Sequence, residues 1–313
     1  MTRFEHIPVM LNQCIEGLNI KPQGVYLDGT VGGAGHSSQI LKRLSGGTLI
    51  AVDRDPVALQ TARERLEPIK GNNTVVYANR NYSEISSIVA EAGVQGLDGV
   101  LIDMGVSSHQ FDEGERGFSY QKEGPLDMRM NQSTGMTAAD IVNEYSPEEL
   151  NRIFREYGEV TYATAITAAI LRRREREPFR TTLELAECVA NATPAKFRRQ
   201  GHPARQIFQA LRIEVNDELG VVPNTIEDAS QCMNVGGRIC VISFHSLEDR
   251  LIKKAFEKLD NPCTCPPDFP ICVCGKVKEY RKVTGKPIVA DAEELELNPR
   301  SRSAKLRIVE KIR

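Results

Sequence analysis

Short apolar runs recur through the first third of the chain, each closed by an acid or by turn residues and separated by stretches of helical periodicity. Val25, Tyr26 and Leu27 read as a buried strand ending in Asp28, and residues 48 to 52 as a second ending in Asp53. Residues 74 to 77 read as a third, and residues 99 to 102 as a fourth ending in Asp103. Between them, Ile40, Leu41 and Leu44 mark a helix over about 37 to 44. The pair Asp55-Pro56 starts another, running to about Leu66, because proline suits an early helical position. Residues 84 to 92 make a third, and residues 13 to 18 a short one closed near Lys21-Pro22. Strands alternating with helices predict a mostly parallel, doubly wound α/β sheet.

The rhythm breaks after Ser108. Residues 110 to 135 are glycine-rich and irregular, and from Ala138 to about Leu219 the pattern is helical. Ser146-Pro-Glu-Glu149 is an N-cap, a first-turn proline and first-turn acids, and Thr181-Thr182-Leu-Glu184 opens another helix. Phe208, Leu211, Val215 and Leu219 form an apolar stripe on a long one. Strand character returns at residues 237 to 243, followed by Phe244-His245-Ser246-Leu247, a helix from Glu248 to about Leu259, and a closing strand from Ala304 to Val309. The expected organisation is a sheet domain built from residues 1–108 and 220–313, with a mostly helical substrate domain, residues 109–219, inserted between the fourth and fifth strands.

Composition adds little until the charge is mapped. The chain has 313 residues, 41% hydrophobic and 26% charged, with a formal net charge of −2, so a generally basic coat is excluded. No segment approaches the roughly 20 apolar residues of a membrane span, and Met1 to Val9 lacks the apolar core of a secretory signal. A cytoplasmic protein without membrane contact is expected. Residues 171 to 180 nevertheless hold five arginines against two glutamates, among them Arg172, Arg173 and Arg174. Lys196, Arg198, Arg199, Arg205 and Arg212 follow without an acid between 196 and 212, and Lys276, Lys278, Arg281, Lys282 and Lys286 make a third cluster. Any one of these fits a solvated face; three together suggest a polyanion laid across the protein.

The first strand runs into glycines at 29, 32, 33 and 35 before a helix, the arrangement by which α/β proteins bring backbone close to a nucleotide-like ligand. Such a loop is also found as a plain turn. Asp53, twenty positions after Gly33 and at the end of the second strand, is placed to accept from ribose hydroxyls. Tyr82, just past the third strand, is a candidate platform for the adenine, or a packed tyrosine. The loop is not a clean G-x-G-x-x-G, and three strand-end acids, Asp28, Asp53 and Asp103, suit S-adenosylmethionine better than a nicotinamide. That donor carries an amino group and a ribose but no pyrophosphate needing a helix N-terminus.

Cys14, Cys188, Cys232 and Cys240 are scattered in apolar contexts and read as buried inert thiols. Cys263, Cys265, Cys272 and Cys274 form C-x-C-x6-C-x-C in a proline-rich stretch. Four such thiolates can close on zinc or remain thiols; the spacing alone assigns no metal. His36 and His245 fall in loops at carboxyl ends of strands, where ligands bind in such sheets, whereas His202, between Arg199 and Arg205, belongs with the basic surface.

Asp28-Gly-Thr with Gly35-His-Ser37, Asp53-Arg-Asp55, Asp103-Met-Gly-Val-Ser-Ser108, Arg116-Gly-Phe-Ser119 and Pro125-Leu-Asp-Met-Arg129 occur in order. His202-Pro-Ala-Arg205, Leu211-Arg-Ile-Glu-Val-Asn216, Ser243-Phe-His-Ser-Leu-Glu-Asp-Arg250 and Asn298-Pro-Arg300 with Ser303-Ala-Lys-Leu-Arg307 follow. Over nearly its whole length the chain resembles the bacterial 16S ribosomal RNA cytosine-N4 methyltransferases, the RsmH (MraW) family. The resemblance implies a class I, Rossmann-like methyltransferase sheet with a helical insertion and S-adenosylmethionine as donor. It implies as acceptor the exocyclic N4 of a decoding-centre cytidine in 16S rRNA, within the small subunit or its precursor. Carried over by position, donor contacts fall on Ala34, Gly35, His36, Asp53, Tyr82, Asp103 and Gln110, with Asp28 and Gly33 of the same loop beside them. Ala34 stands where the family usually has glycine, Tyr82 where phenylalanine is common, and His109 where a small residue or proline is usual.

Cytosine's amine is a poor nucleophile, because its lone pair is delocalised into the ring. The acceptor pocket must therefore present it in line with the methyl group and accept its hydrogen bonds. Asp103, Ser107, Ser108 and His245 are the expected pocket residues, with no single base assigned, and the base must be splayed out of its RNA to arrive there. The acid- or serine-prolyl-prolyl-aromatic motif of many DNA amino-methyltransferases is absent. Three other readings share some of these features: another nucleobase amino-methyltransferase; on the first two strands alone, a nicotinamide-dependent oxidoreductase; and, on the basic clusters alone, a non-catalytic RNA-binding protein.

Overall fold

The computed structural model describes residues 8–105, 113–198, 201–266, 271 and 273–313. Ser107, Ser108, Gln110, Arg199 and Cys272, named above, lie outside the described residues. The chain divides into two compact units, Met1–Gly105 with Gly220–Arg313, and Val106–Leu219.

The first unit is built on one sheet. Strands β1 (Val25–Asp28), β2 (Thr48–Asp53), β3 (Thr74–Asn79), β4 (Leu97–Asp103) and β5 (Met233–Ser243) run parallel in the order β3-β2-β1-β4-β5. The antiparallel β8 (Lys305–Lys311) lies beside β5, and the short β6 (Tyr280–Lys282) and β7 (Ile288–Val289) pair with β8. Side chains alternate across a strand, so neighbours go to opposite faces. Tyr26, Leu49, Ala51, Leu101 and Ile242 pack into one core with α1 (Leu11–Leu18), α2 (Gly35–Leu41) and α3 (Pro56–Leu66). Leu27, Ile50, Val52, Val100, Ile102 and Val241 pack into the other, with α4 (Ile85–Glu91), α10 (Val222–Cys232) and α11 (Ser246–Asp260). Each buried Leu or Ile side chain contributes about 1.5 to 3 kcal/mol. Strand order reverses direction between β1 and β4, and ligands of such sheets bind at the carboxyl ends beside that switch.

Several boundaries differ from the sequence reading. Strand β5 begins four residues before Gly237, because Gly236 (φ 81°) and Gly237 form an irregularity inside the strand rather than a turn before it. Helix α10, with Pro223 in its first turn and Val222, Ile226 and Ala229 buried along one face, is not among the elements expected from the sequence. Helix α11 starts at Ser246, two residues earlier than expected. Strands β6 and β7 carry no strand signal in the sequence, because they are only three and two residues long.

The second unit is helical: α5 (Ala138–Glu144), α6 (Pro147–Glu156), α7 (Ala163–Arg174), α8 (Thr182–Ala192) and α9 (Ala204–Asn216). Thr137 with Asp140, Ser146 with Glu149 and Thr181 with Glu184 form reciprocal capping boxes at three helix starts. Leu150, Ile153, Phe154, Ile166, Ile170, Leu185, Val189, Phe208 and Leu211 make its core. Helix α9 stops at Asn216 with Asp217 left-handed (φ 49°), so Leu219 lies beyond the helix whose stripe it was expected to extend.

Candidate active site

The glycine loop after β1 is held from beneath. Asp28 is buried, and its carboxylate accepts from Ser37 Oγ at 2.6 Å and from the Thr30 amide at 3.2 Å, tying the end of β1 to the start of α2. Burial pushes its pKa up to about 6, against the pull of those hydrogen bonds. A Cβ on Gly29 would stand 3.0 Å from Cβ of Tyr82, so the missing side chain is what lets the tyrosine approach the loop. Ala34 caps α2 with φ 60° and ψ 25°, a left-handed conformation that costs a residue with Cβ about 1 to 2 kcal/mol. A Cβ on Gly35 would fall 2.1 Å from Pro8 Cγ, because the N-terminal segment lies against the loop. His36 is buried under the same segment, its Nε2 3.0 Å from the Val9 carbonyl oxygen, and burial lowers its pKa to about 4.

Asp53, at the end of β2 and partly buried, accepts from the Gly32 amide at 2.9 Å and from the Asp55 amide at 2.9 Å. Burial pushes its pKa up to about 6. The loop and the second strand are thereby locked together, with the carboxylate at the rim. Tyr82 opens the short helical turn Tyr82–Glu84 after β3.

Asp103 closes β4. Its amide donates to Thr30 Oγ1 at 2.8 Å, which joins the ends of β1 and β4. Its carboxylate Oδ1 is buried and has no hydrogen-bond partner among the described residues. Burial, then the charges of Asp28 and Glu248, hold this carboxyl well above the usual range. A buried, unbonded carboxylate oxygen beside a glycine loop is what a ligand bearing N–H groups or positive charge would satisfy, since such an oxygen is costly to leave unpaired. Gly105 (φ 121°) follows, and a Cβ there would meet Phe244 at 3.3 Å.

At the end of β5, His245 caps α11: Nδ1 accepts from the Glu248 amide at 3.4 Å, and Nε2 lies 3.1 Å from Glu248 Oε1. The buried Glu248 accepts in return from the amides of Phe244 at 2.7 Å and His245 at 3.3 Å. Histidine and glutamate thus set the turn that carries Phe244. Sequence reasoning missed Thr30, Ser37 and Glu248 as positioning groups. A capping-box reading of the three-residue spacing from His245 to Glu248 would have found the last.

The structure brings Asp28, Asp53, Asp103, Tyr82 and the loop residues Gly33 to His36 to the carboxyl edge of neighbouring strands. The basic residues Arg172, Arg173, Arg174, Lys196, Arg198 and Arg205 lie in the helical unit. Arg172, Lys196 and Arg205 are exposed. Arg174 instead donates to the carbonyls of Val142 at 2.9 Å and Tyr145 at 2.8 Å, while Arg198, though exposed, donates to that of Thr193 at 2.9 Å. Arg173 pairs with Glu177 at 3.5 Å.

A mostly parallel sheet with a glycine loop after β1 and acids closing β1, β2 and β4 is the build of a Rossmann-like, S-adenosylmethionine-dependent methyltransferase. The chain belongs to the MraW methylase family, whose profile matches residues 3–312. It is 50% identical over 311 residues to the ribosomal RNA small subunit methyltransferase H of Ruminiclostridium cellulolyticum, covering 99% of each chain. It is 51% identical over 311 residues to the protein of the same name from Clostridioides difficile, again over 99% of each. A solved rRNA methylase structure from Streptococcus thermophilus aligns over 98% of this chain and 99% of its own at 9% identity, with a TM-score of 0.44. That likeness is too slight to carry an argument. No helix among the described residues is long and apolar enough to cross a membrane.

Proposed function

We propose that this chain methylates the exocyclic N4 of a decoding-centre cytidine in 16S rRNA, within the small subunit or its precursor. Half-identical relatives named ribosomal RNA small subunit methyltransferase H support the RNA class. The observation that carries the chemistry is the buried, unpartnered Oδ1 of Asp103 at the strand switch. Bound S-adenosylmethionine supplies the methyl group. Asp53 accepts from the ribose hydroxyls, Tyr82 lies against the adenine, and Gly33, Ala34, Gly35 and His36 shape the backbone cradle that Asp28 braces. Gln110 belongs to the same contacts by its position in the family pattern. Asp103 accepts hydrogen bonds at an oxygen shielded from water, where each such bond counts for more than in solution.

Asp103 and His245 are the proposed acceptor-side groups, and Ser107 and Ser108, outside the described residues, join them only by their place in the motif from Asp103 to Ser108. Their work is to orient the amine and accept its hydrogen bonds as positive charge develops, with the cytidine unstacked from its RNA. Exposed Arg172, Lys196 and Arg205, together with Arg173, Arg198 and Arg199, serve the phosphate backbone, supplying affinity rather than choice of base, whereas Arg174 is held by the carbonyls of Val142 and Tyr145. The test is to incubate small-subunit RNA with enzyme and tritiated donor, digest it, and identify the labelled nucleoside. N4-methylcytidine from the decoding centre is expected. Label in a different nucleoside, or at another site, overturns the assignment.

A further inference from the structure

Between Asp260, the last residue of α11, and Tyr280, the first of β6, the described residues form no helix or strand. Ile271, Val273 and Val277 point outward, 75%, 73% and 53% exposed. Such a stretch has no apolar core to order it, and hydrophobic burial cannot explain a defined conformation here. Its thiols do converge. The sulfur atoms of Cys263, Cys265 and Cys274 all lie within 4.8 Å of one another, and those of Cys263 and Cys274 are 3.8 Å apart.

That separation excludes a disulfide and is compatible with ligation of a shared ion. A disulfide places its sulfurs about 2.05 Å apart. Zinc–thiolate bonds of about 2.3 Å in a tetrahedron put any two sulfurs about 3.8 Å apart. The Val273 amide donates to Cys265 Sγ at 3.3 Å, the kind of outer contact that orients and stabilises a thiolate ligand. Gly275, with φ 66°, turns the chain directly after Cys274. We propose that Cys263, Cys265 and Cys274 hold a structural zinc ion, or a cation of the same soft, tetrahedral class, which fixes the connection between α11 and β6. Cys272 completes the C-x-C-x6-C-x-C pattern and lies outside the described residues. The ion is remote from the methyl-transfer chemistry in kind. Thiolate ligation that closes a loop contributes folding free energy rather than a reacting group.

The full-length protein, carrying a tag that binds no metal and purified under reducing conditions, should contain about one zinc per chain by elemental analysis. Stripped protein should take up Co2+ with thiolate charge-transfer bands and the intense visible bands of a tetrahedral site. Chelation should open residues 263–274 to protease, and zinc should close them again. Cys263→Ser combined with Cys274→Ser should lose the zinc and the cobalt spectrum, while Cys188→Ser, in the helical unit, should keep both. The proposal is overturned if wild-type protein binds neither zinc nor cobalt, if these thiols are recovered as a disulfide under reducing conditions, or if the double variant keeps its metal. None of these readouts depends on which nucleoside is methylated.

Discussion

The Gly32 amide donates to the Asp53 carboxylate across 2.9 Å, so the acid that ends β2 is a brace for the glycine loop as well as a group at its rim. Replacing it therefore removes two things at once. Asp53→Ala should weaken donor binding by about tenfold to a hundredfold, because hydrogen bonds to a charged group are each worth about 1.5 to 3 kcal/mol. Titration calorimetry with S-adenosylhomocysteine reads this directly. Unchanged affinity in a folded variant removes Asp53 from the donor site.

Asp103 should make donor binding pH-dependent. Burial and the neighbouring Asp28 and Glu248 raise its pKa, so the ligand-free protein holds a proton there at pH values where an ordinary carboxyl has lost it. A cationic ligand favours the ionised form, so binding releases that proton and affinity rises with pH above the usual carboxylate range. Calorimetry in buffers of different ionisation heat should detect the released proton. Asp103→Asn should lose both the release and the slope; a slope that survives assigns it to another group.

His36 and Asp28 should pull stability in opposite directions with pH. The folded pKa of His36 is about 4 against an ordinary 6.5, so between these values the unfolded chain binds more protons and stability falls as pH falls. Asp28, raised from 3.8 to about 6, binds more protons in the folded state across that interval, so its contribution falls as pH rises; Asp53 acts in the same sense. A shift of about two pKa units corresponds to about 3 kcal/mol. Urea unfolding from pH 4 to 6.5 should show Asp28→Asn losing stability more steeply toward acid than wild type, and His36→Gln less steeply. Parallel curves would mean that neither group titrates as its burial demands.

The basic residues of the helical unit should separate by what they touch. Arg172→Glu, Lys196→Glu and Arg205→Glu together alter exposed side chains and should weaken RNA binding. For every phosphate that is no longer neutralised, the salt dependence flattens by about 0.7 to 0.9 log units per log unit of salt. Donor affinity and the methylated position should not change. Arg174→Ala should instead cost about 1 to 3 kcal/mol of stability, because it leaves the carbonyls of Val142 and Tyr145 without their donor. Filter binding against a salt series, paired with thermal unfolding, distinguishes the two. An unaltered salt slope in the triple variant moves the RNA off this surface.

Local pattern alone dictates the alternation of strands and helices, because period-two and period-3.6 burial are written into neighbouring residues. Leu27, Ile50 and Val100 announce buried strands wherever they pack, and Ser146 and Thr181 announce helix starts through partners three residues away. The same pattern marks Asp28, Asp53 and Asp103 as strand-end acids. What each acid does is settled by packing. Asp28 is spent on Ser37 and Thr30, Asp53 is shared with Gly32, and Asp103 keeps an unbonded buried oxygen. Those differences depend on burial and on groups up to 145 positions away, as from Asp103 to Glu248, and no local pattern encodes them. The same holds for Arg172 and Arg174, alike in sequence yet one exposed and one bound to backbone carbonyls, because which face of a helix meets another element is settled only when the elements pack.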